Sequence, residues 1–267
     1  MIEVRDLWKQ YGGKPVLKGV SLTIPDGEAL TILGRSGGGK SVLLKHLIGL
    51  TRPDKGQVLV DGADITRMNH DQLAEVRHKF GMLFQGAALF DSMTVGENVG
   101  LGLSEHTKMK PAEIAARVKE LLGMVGLPGI EALKPSSLSG GMRKRVGLAR
   151  AIAMKPHYVL YDEPTTGLDP VTADAINVLI RGLQQQLGIT SIVVTHDMKS
   201  AEYVSDRLCM LHDGNIIFDG TFADIQASPD PIVRQFITGS SQGPLTDDAP
   251  QKFERRRLFN RRRGETA

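Results

Sequence analysis

Gly34-Arg35-Ser36-Gly37-Gly38-Gly39-Lys40-Ser41 follows an apolar run, Ala29 to Leu33, and precedes Val42 to Leu50. The run reads as a buried strand and the segment after the loop as a helix. The eight residues fit the pattern G-x-x-x-x-G-K-[ST], and strand–loop–helix is the setting that pattern requires. Glycines let the backbone wrap tightly and turn successive N–H groups inward. Those donors and the following helix N-terminus form a nest for phosphate oxygens. Lys40 adds a point charge for the outer phosphates, and the Ser41 hydroxyl is a ligand for Mg²⁺.

Further along, Tyr158-Val159-Leu160-Tyr161-Asp162-Glu163 is an apolar strand that ends in two carboxylates. By itself such an ending is as readily a solvated acidic turn. Beside a phosphate loop it divides into an acid for the metal, Asp162 acting through water, and an acid for the attacking water, Glu163 as general base. Ile2, Val4 and Leu7 read as an exposed strand, and Val16 to Ile24 as another that ends at the turn Pro25-Asp26-Gly27. Residues 57–60 and 81–84 read as short strands around a helix at 70–79. From about 95 to 154 the pattern is mostly helical, with Pro111 at the first turn of one helix and another beginning after Ser139. Strands at 158–161, 189–195, 207–211 and 216–218 then alternate with helices at 171–187 and 198–204. The expected architecture is a mixed α/β core carrying a helical insert.

Between the loop and the acid pair's turn lies Leu138-Ser139-Gly140-Gly141-Met142. Here the chain resembles the ATP-binding-cassette (ABC) ATPases, whose signature reads LSGGQ, and the other elements of that family occur in order over about residues 1–235. The resemblance implies an α/β fold, a P-loop NTPase core of the ABC ATPase type with an antiparallel β subdomain and an α-helical insert subdomain. It places ATP and Mg²⁺ on Gly34, Arg35, Ser36, Gly37, Gly38, Gly39, Lys40, Ser41 and Val42, with Tyr11 stacked on adenine. It makes Gln85 the Q-loop glutamine that touches Mg²⁺ and the attacking water, and His196 the switch histidine at the γ-phosphate. Asp169, in Thr166-Gly167-Leu168-Asp169, becomes the D-loop aspartate. Each also has an ordinary reading: Tyr11 as an aromatic at a strand end, Gln85 as a satisfied loop residue, His196 as a helix cap, Asp169 as the cap of the helix after it. Met142 departs from the family's glutamine, and a thioether has none of an amide's donors. Ser139, Gly140 and Gly141 retain the hydroxyl and N–H groups with which the signature of one subunit meets the γ-phosphate held by another. One chain carries one P-loop and one signature, so a second copy or a paired homologue is implied.

Gly81 to Val95 (GMLFQGAALFDSMTV), LSGGMRKRVGLARAI, Glu105-His106-Thr107 and Tyr161 are similar to one subfamily. These are the ATPases paired with mammalian-cell-entry (MCE) lipid transporters, such as the Mla phospholipid systems of Gram-negative bacteria. The resemblance implies a motor subunit on the cytoplasmic face of the inner membrane, moving phospholipid between inner and outer membranes. Its implied partners are an integral membrane permease, an MCE-domain lipid-binding protein and a small STAS-domain subunit, with phospholipid touched only indirectly. Phe84, Leu89 and Phe90 flank Gln85 where the family's groove receives a coupling helix of the permease; otherwise they are core residues. Two alternatives stay open: an ABC ATPase serving another hydrophobic solute, and a soluble ABC ATPase with no membrane partner.

The 267 residues, with 41% hydrophobic and 24% charged content, suit one elaborated α/β domain or two small ones. No apolar stretch approaches the roughly 18 residues of a membrane span, and the first residues lack a signal peptide's apolar core. Cys209 is the single cysteine, which excludes an internal disulfide framework and fits a reducing cytoplasm. Residues 239–267 hold Lys252 and six arginines against Asp247, Asp248, Glu254 and Glu265, which accounts for the whole net charge of +3. The body is therefore balanced and gives no sign of a nucleic-acid surface. The expected organisation is a nucleotide-binding domain over 1–238, with its helical subdomain at about 90–155, then a linker and basic tail over 239–267. The tail's interleaved Phe253, Leu258 and Phe259 fit docking on a partner subunit; attachment to anionic lipid and a solvated, unstructured end are the other readings.

Overall fold

The computed structural model describes residues 1–247; the basic tail from residue 248, with Phe253, Leu258 and Phe259, lies outside the described residues. The chain forms two compact units, Met1–Ile225 and a second that starts at Gln226. In chain order the strands are β1 (Ile2–Tyr11), β2 (Lys14–Ile24), β3 (Ala29–Leu33), β4 (Lys55–Val60), β5 (Ala63–Asp64), β6 (Phe80–Leu83), β7 (Tyr158–Asp162), β8 (Thr190–Thr195), β9 (Arg207–His212) and β10 (Asn215–Gly220). The helices are α1 (Lys40–Leu47), α2 (His70–Arg77), α3 (Val95–His106), α4 (Pro111–Met124), α5 (Gly140–Ile152), α6 (Pro170–Leu187), α7 (Met198–Val204), α8 (Phe222–Ala227), α9 (Pro231–Thr238) and α10 (Pro244–Asp247).

The strands of the first unit form a four-stranded sheet, β2-β1-β4-β5, and a six-stranded sheet, β10-β9-β3-β8-β7-β6. The first is antiparallel. In the second, β9, β3, β8, β7 and β6 pair in parallel, and β10 returns antiparallel to β9. The expected antiparallel subdomain, mixed core and helical insert are all present. β1, read from sequence as an exposed strand, is an interior strand of its sheet. Its Ile2, Val4 and Leu7 are buried; polar alternation marks one solvated face, not an edge. The three-residue step from Val4 to Leu7 is a bulge against β2, with Asp6 at φ 45°. The bulge restores the inward phase of the pattern.

The parallel sheet is covered on both faces, and successive residues alternate between two apolar layers. On β7, Tyr158 and Leu160 join the layer shared with the antiparallel sheet and α1, while Val159 and Tyr161 join the layer shared with α3, α4, α5 and α6. Double coverage is why these strands read as unbroken apolar runs. Capping boxes start α2 (Asn69 with Gln72) and α3 (Thr94 with Glu97); each cap contributes about 1 kcal/mol. In the second unit, the stretch read as linker contains α10, one helical turn. The Gln235 amide donates to the Ser240 carbonyl and to Thr246 Oγ1, and accepts from the Leu245 N–H.

Candidate nucleotide site

β3 is buried along its whole length and enters the loop at Gly34. There φ is 154°, and a Cβ would lie 2.4 Å from the carbonyl oxygen of Leu211 on β9. Only glycine lets the loop start this close to the neighbouring strand. Gly39, at φ 95°, is the N-cap residue of α1 and supplies no side-chain cap, so the first-turn N–H groups face outward as anion donors. Lys40 is buried. Its Nζ donates to the carbonyls of Gly34 at 2.7 Å and Arg35 at 3.1 Å, and lies 3.5 Å from Glu163 Oε1.

β7 and β8 deliver the acids and the histidine to the same end of the sheet, because β8 lies between β3 and β7. Ligand sites of α/β sheets form at this carboxyl end. Ser41 Oγ donates to Asp162 Oδ1 at 2.9 Å. Glu163 is buried, and its Oε2 meets His196 Nδ1 at 2.9 Å and the Thr166 hydroxyl at 3.1 Å. Its backbone sits at φ 50°, a left-handed conformation that costs a non-glycine residue about 1–3 kcal/mol and must be held by its surroundings. The Glu163 N–H donates to the Val194 carbonyl at 2.9 Å. The residues present fit a magnesium nucleotide. A hydroxyl and a carboxylate converge as hard oxygen donors for Mg²⁺, and a buried ammonium sits in a glycine-rich loop that leads into a helix N-terminus, a setting that suits phosphate.

The structure thus brings together Gly34, Lys40, Ser41, Asp162, Glu163 and His196. Gln85 is exposed, and its carbonyl accepts from the Lys144 ammonium. The signature has different neighbours. Ser139 is the N-cap of α5, its Oγ accepting from the Met142 N–H at 3.2 Å, which leaves the hydroxyl proton available to an external acceptor. A Cβ on Gly141 would lie 2.6 Å from Thr172 Cγ2, so the start of α5 rests on the first turn of α6. Asp169 caps α6, accepting from the N–H groups of Val171 at 3.1 Å and Thr172 at 3.0 Å, and from the Thr172 hydroxyl at 2.6 Å. The Thr172 hydroxyl and then its N–H hold the Asp169 carboxyl below its ordinary pKa. Met142 is partly buried against the apolar layer of the helices, which gives the thioether a packing role where the family has an amide.

Tyr11 stands half exposed at the end of β1, with Lys9 Nζ 5.4 Å from its ring centre. The cavity beside the loop is bordered by Val16, Gly37, Gly39, Lys40, Ser41 and Val42. Neither Val16 nor Lys144 stands out in the sequence. Val16 is one of several apolar residues of β2, and Lys144 stands in a basic run with Arg143 and Arg145; neither spacing separates them from their neighbours.

A strand–loop–helix cradle with an acid pair two strands away in one parallel sheet is the layout of a P-loop nucleoside triphosphatase. Residues 17–166 match the family model described as ABC transporter. The chain is 45% identical over 244 residues, 91% of its length and 68% of the relative's, to the "Probable ribonucleotide transport ATP-binding protein mkl" of Mycobacterium tuberculosis. It is 40% identical over 245 residues to the "Intermembrane phospholipid transport system ATP-binding protein MlaF" of Escherichia coli, covering 92% of this chain and 91% of that one. Among solved structures it is similar to the dimeric post-hydrolysis state of the ATP-binding cassette MJ0796 bound to ADP and Pi. The TM-score is 0.77 and the identity 34%, over 83% of this chain and 98% of that one. The chain belongs to the ABC transporter family, as one of its ATP-binding, ATP-hydrolysing subunits.

Proposed function

We propose that this chain is the ATPase subunit of a multi-subunit transporter moving phospholipid between the inner and outer membranes of a Gram-negative envelope. The observation that carries the reading is the similarity to MlaF, which runs over 92% of this chain and 91% of that protein, so catalytic core and helical insert are included alike. On this reading the chain works peripherally at the cytoplasmic face of the inner membrane. Its partners are a second copy, a permease, an MCE-domain protein and a STAS-domain subunit. No helix among the described residues is long and apolar enough to cross a membrane, so passage of lipid falls to the permease. Phe84 and Phe90, 39% and 51% exposed on either side of Gln85, offer that permease an apolar contact. A separate apolar groove lies between α3 and α4, bordered by Met93, Leu101, Ile114 and Val118.

In the same reading Lys40 and the N–H groups of Gly34–Val42 hold the phosphates of ATP, and Tyr11 meets the adenine. Ser41, Asp162 and Gln85 would hold Mg²⁺, which would supply positive charge against the phosphates. Glu163 takes the proton of the attacking water, and His196 steadies its carboxylate at 2.9 Å. Ser139, Gly140 and Gly141 of a second copy close on the γ-phosphate, with Asp169 beside them. The likeness to a dimeric cassette supports that arrangement. Similarity to Mkl supports a second reading, transport of another solute, since that protein's name specifies ribonucleotide. Purifying the detergent-solubilised complex through this chain and identifying its subunits by mass spectrometry tests the proposal. A permease and an MCE-domain protein are expected, with ATPase activity stimulated by phospholipid. Recovery with no integral membrane protein, or with a permease insensitive to lipid, would overturn it.

A further inference from the structure

Two basic side chains of α5, outside the nucleotide cradle, hold the loop that carries Gln85. Arg150 donates to the carbonyls of Ala87 at 2.6 Å and Ala88 at 2.7 Å. Those two residues take φ values of 60° and 47°, a consecutive left-handed pair that alanine does not adopt unaided. Lys144 lies deeper, only 5% exposed. Its ammonium donates to the carbonyl of Gln85 and, at 3.2 Å, to the carbonyl of Glu163. Burial lowers the Lys144 pKa, while the nearby Asp162 and Glu163 carboxylates favour its charged form.

The backbone of Glu163 is therefore gripped on both sides, its N–H by the Val194 carbonyl and its C=O by Lys144. A backbone in the left-handed region aims its side chain in one direction, and releasing one grip lets it relax to a commoner φ and swing the carboxylate away. We propose that Lys144 is a positioning residue for hydrolysis: its ammonium ties the main chain of Gln85 to that of Glu163, so that the seat of the Glu163 carboxylate follows the seat of the Gln85 loop. The inference rests on the reading of Glu163 as general base. It supplies a mechanical route from the exposed loop, where a membrane partner would press, to the group that meets water.

The test is steady-state ATPase kinetics on the full-length protein in its purified complex, with Lys144→Met, Lys144→Arg and each combined with Glu163→Gln. Lys144→Met should lower kcat by about 10–100-fold, the usual cost of misplacing a reacting group, with KM and nucleotide affinity within about twofold. Lys144→Arg, which keeps the charge and the donors, should recover most of the rate. In the Glu163→Gln background, Lys144→Met should add no further loss, since a residue that acts through Glu163 has nothing left to position. Should methionine unfold the chain, as melting would reveal, Lys144→Gln carries the same comparison. Wild-type kcat in Lys144→Met, a loss expressed in KM, no recovery with arginine in a folded variant, or a full additional loss without Glu163 would each overturn the inference. Normal turnover in Glu163→Gln alone removes the base reading itself; a slow Glu163→Gln beside an unaffected Lys144→Met removes only the role of Lys144.

Discussion

His196 Nδ1 lies 2.9 Å from Glu163 Oε2, while the other oxygen of the same carboxylate lies 3.5 Å from Lys40 Nζ. The acid is thus suspended between the end of β8 and the phosphate loop, with both oxygens oriented. Glu163→Gln keeps the shape and the Thr166 contact but cannot take a proton. Hydrolysis should slow by about 10²–10⁴-fold, the usual general-base contribution, with ATP binding retained. Phosphate release and binding of a fluorescent ATP analogue measure the two; near-normal turnover would remove Glu163 from the role.

Lys40 reaches three oxygen acceptors from a buried position, and in the proposed nucleotide complex its charge would face the outer phosphates. A ligand held at about 100 times its Kd stabilises the fold by about 2.7 kcal/mol. Wild-type protein should show a matching rise in melting temperature with ATP and Mg²⁺. Lys40→Ala should lose most of that rise and most of its turnover. An undiminished ATP-dependent shift would count against the cradle.

The contact of Gly141 with Thr172 yields a second-site prediction. Gly141→Ala drives a methyl toward Thr172 Cγ2, 2.6 Å away, and such overpacking costs about 1–3 kcal/mol. Thr172→Ser removes that methyl yet keeps the hydroxyl on Asp169. The double variant should recover stability and gain up to about 1 kcal/mol, because alanine is the better helix former. Equal melting of the single and double variants would refute the contact.

Acid sensitivity should trace in part to Asp61, in the turn after β4. Burial opposes its charge, but hydrogen bonds from the Lys79 ammonium, the Tyr158 hydroxyl and the Met1 ammonium outweigh this and hold its carboxyl well below the ordinary 3.8. A folded pKa below the unfolded one stabilises the fold at pH above the unfolded value, and the gain is lost as pH falls toward the folded one. The melting temperature should fall on acidification below about pH 4. Asp61→Asn should melt lower at neutral pH and lose less over the same acid range. Parallel curves for the two proteins would rule Asp61 out.

The elements with strong periodicity or a fixed pattern are legible in the sequence. The apolar runs of β3, β7 and β8 and the phosphate loop are legible in residue spacing; the acid pair is legible only beside that loop, and the parallel sheet sets them all at one end. α9 carries a weaker signal, Asp230-Pro231, a cap followed by proline; the structure starts the helix there, with Asp230 accepting from Ile232 and Val233 N–H. The grip of Lys144 on two distant carbonyls was not legible at all. It depends on how α5 lies across the ends of β6 and β7, a tertiary fact that local spacing does not encode. The packing of Met142 likewise became visible only once its neighbours were known.

The partners of β3 lie far along the chain: Leu33 sits opposite Thr195 on one side and Met210 on the other. While the ribosome is still making the middle of the protein, the strand that leads into the phosphate loop is an apolar segment with neither flank in place. Such long-range pairing is slow and leaves its surface open to aggregation. ATP can therefore assist only the last stage of assembly, and fragments ending before β8 should depend on chaperones rather than on nucleotide to stay in solution.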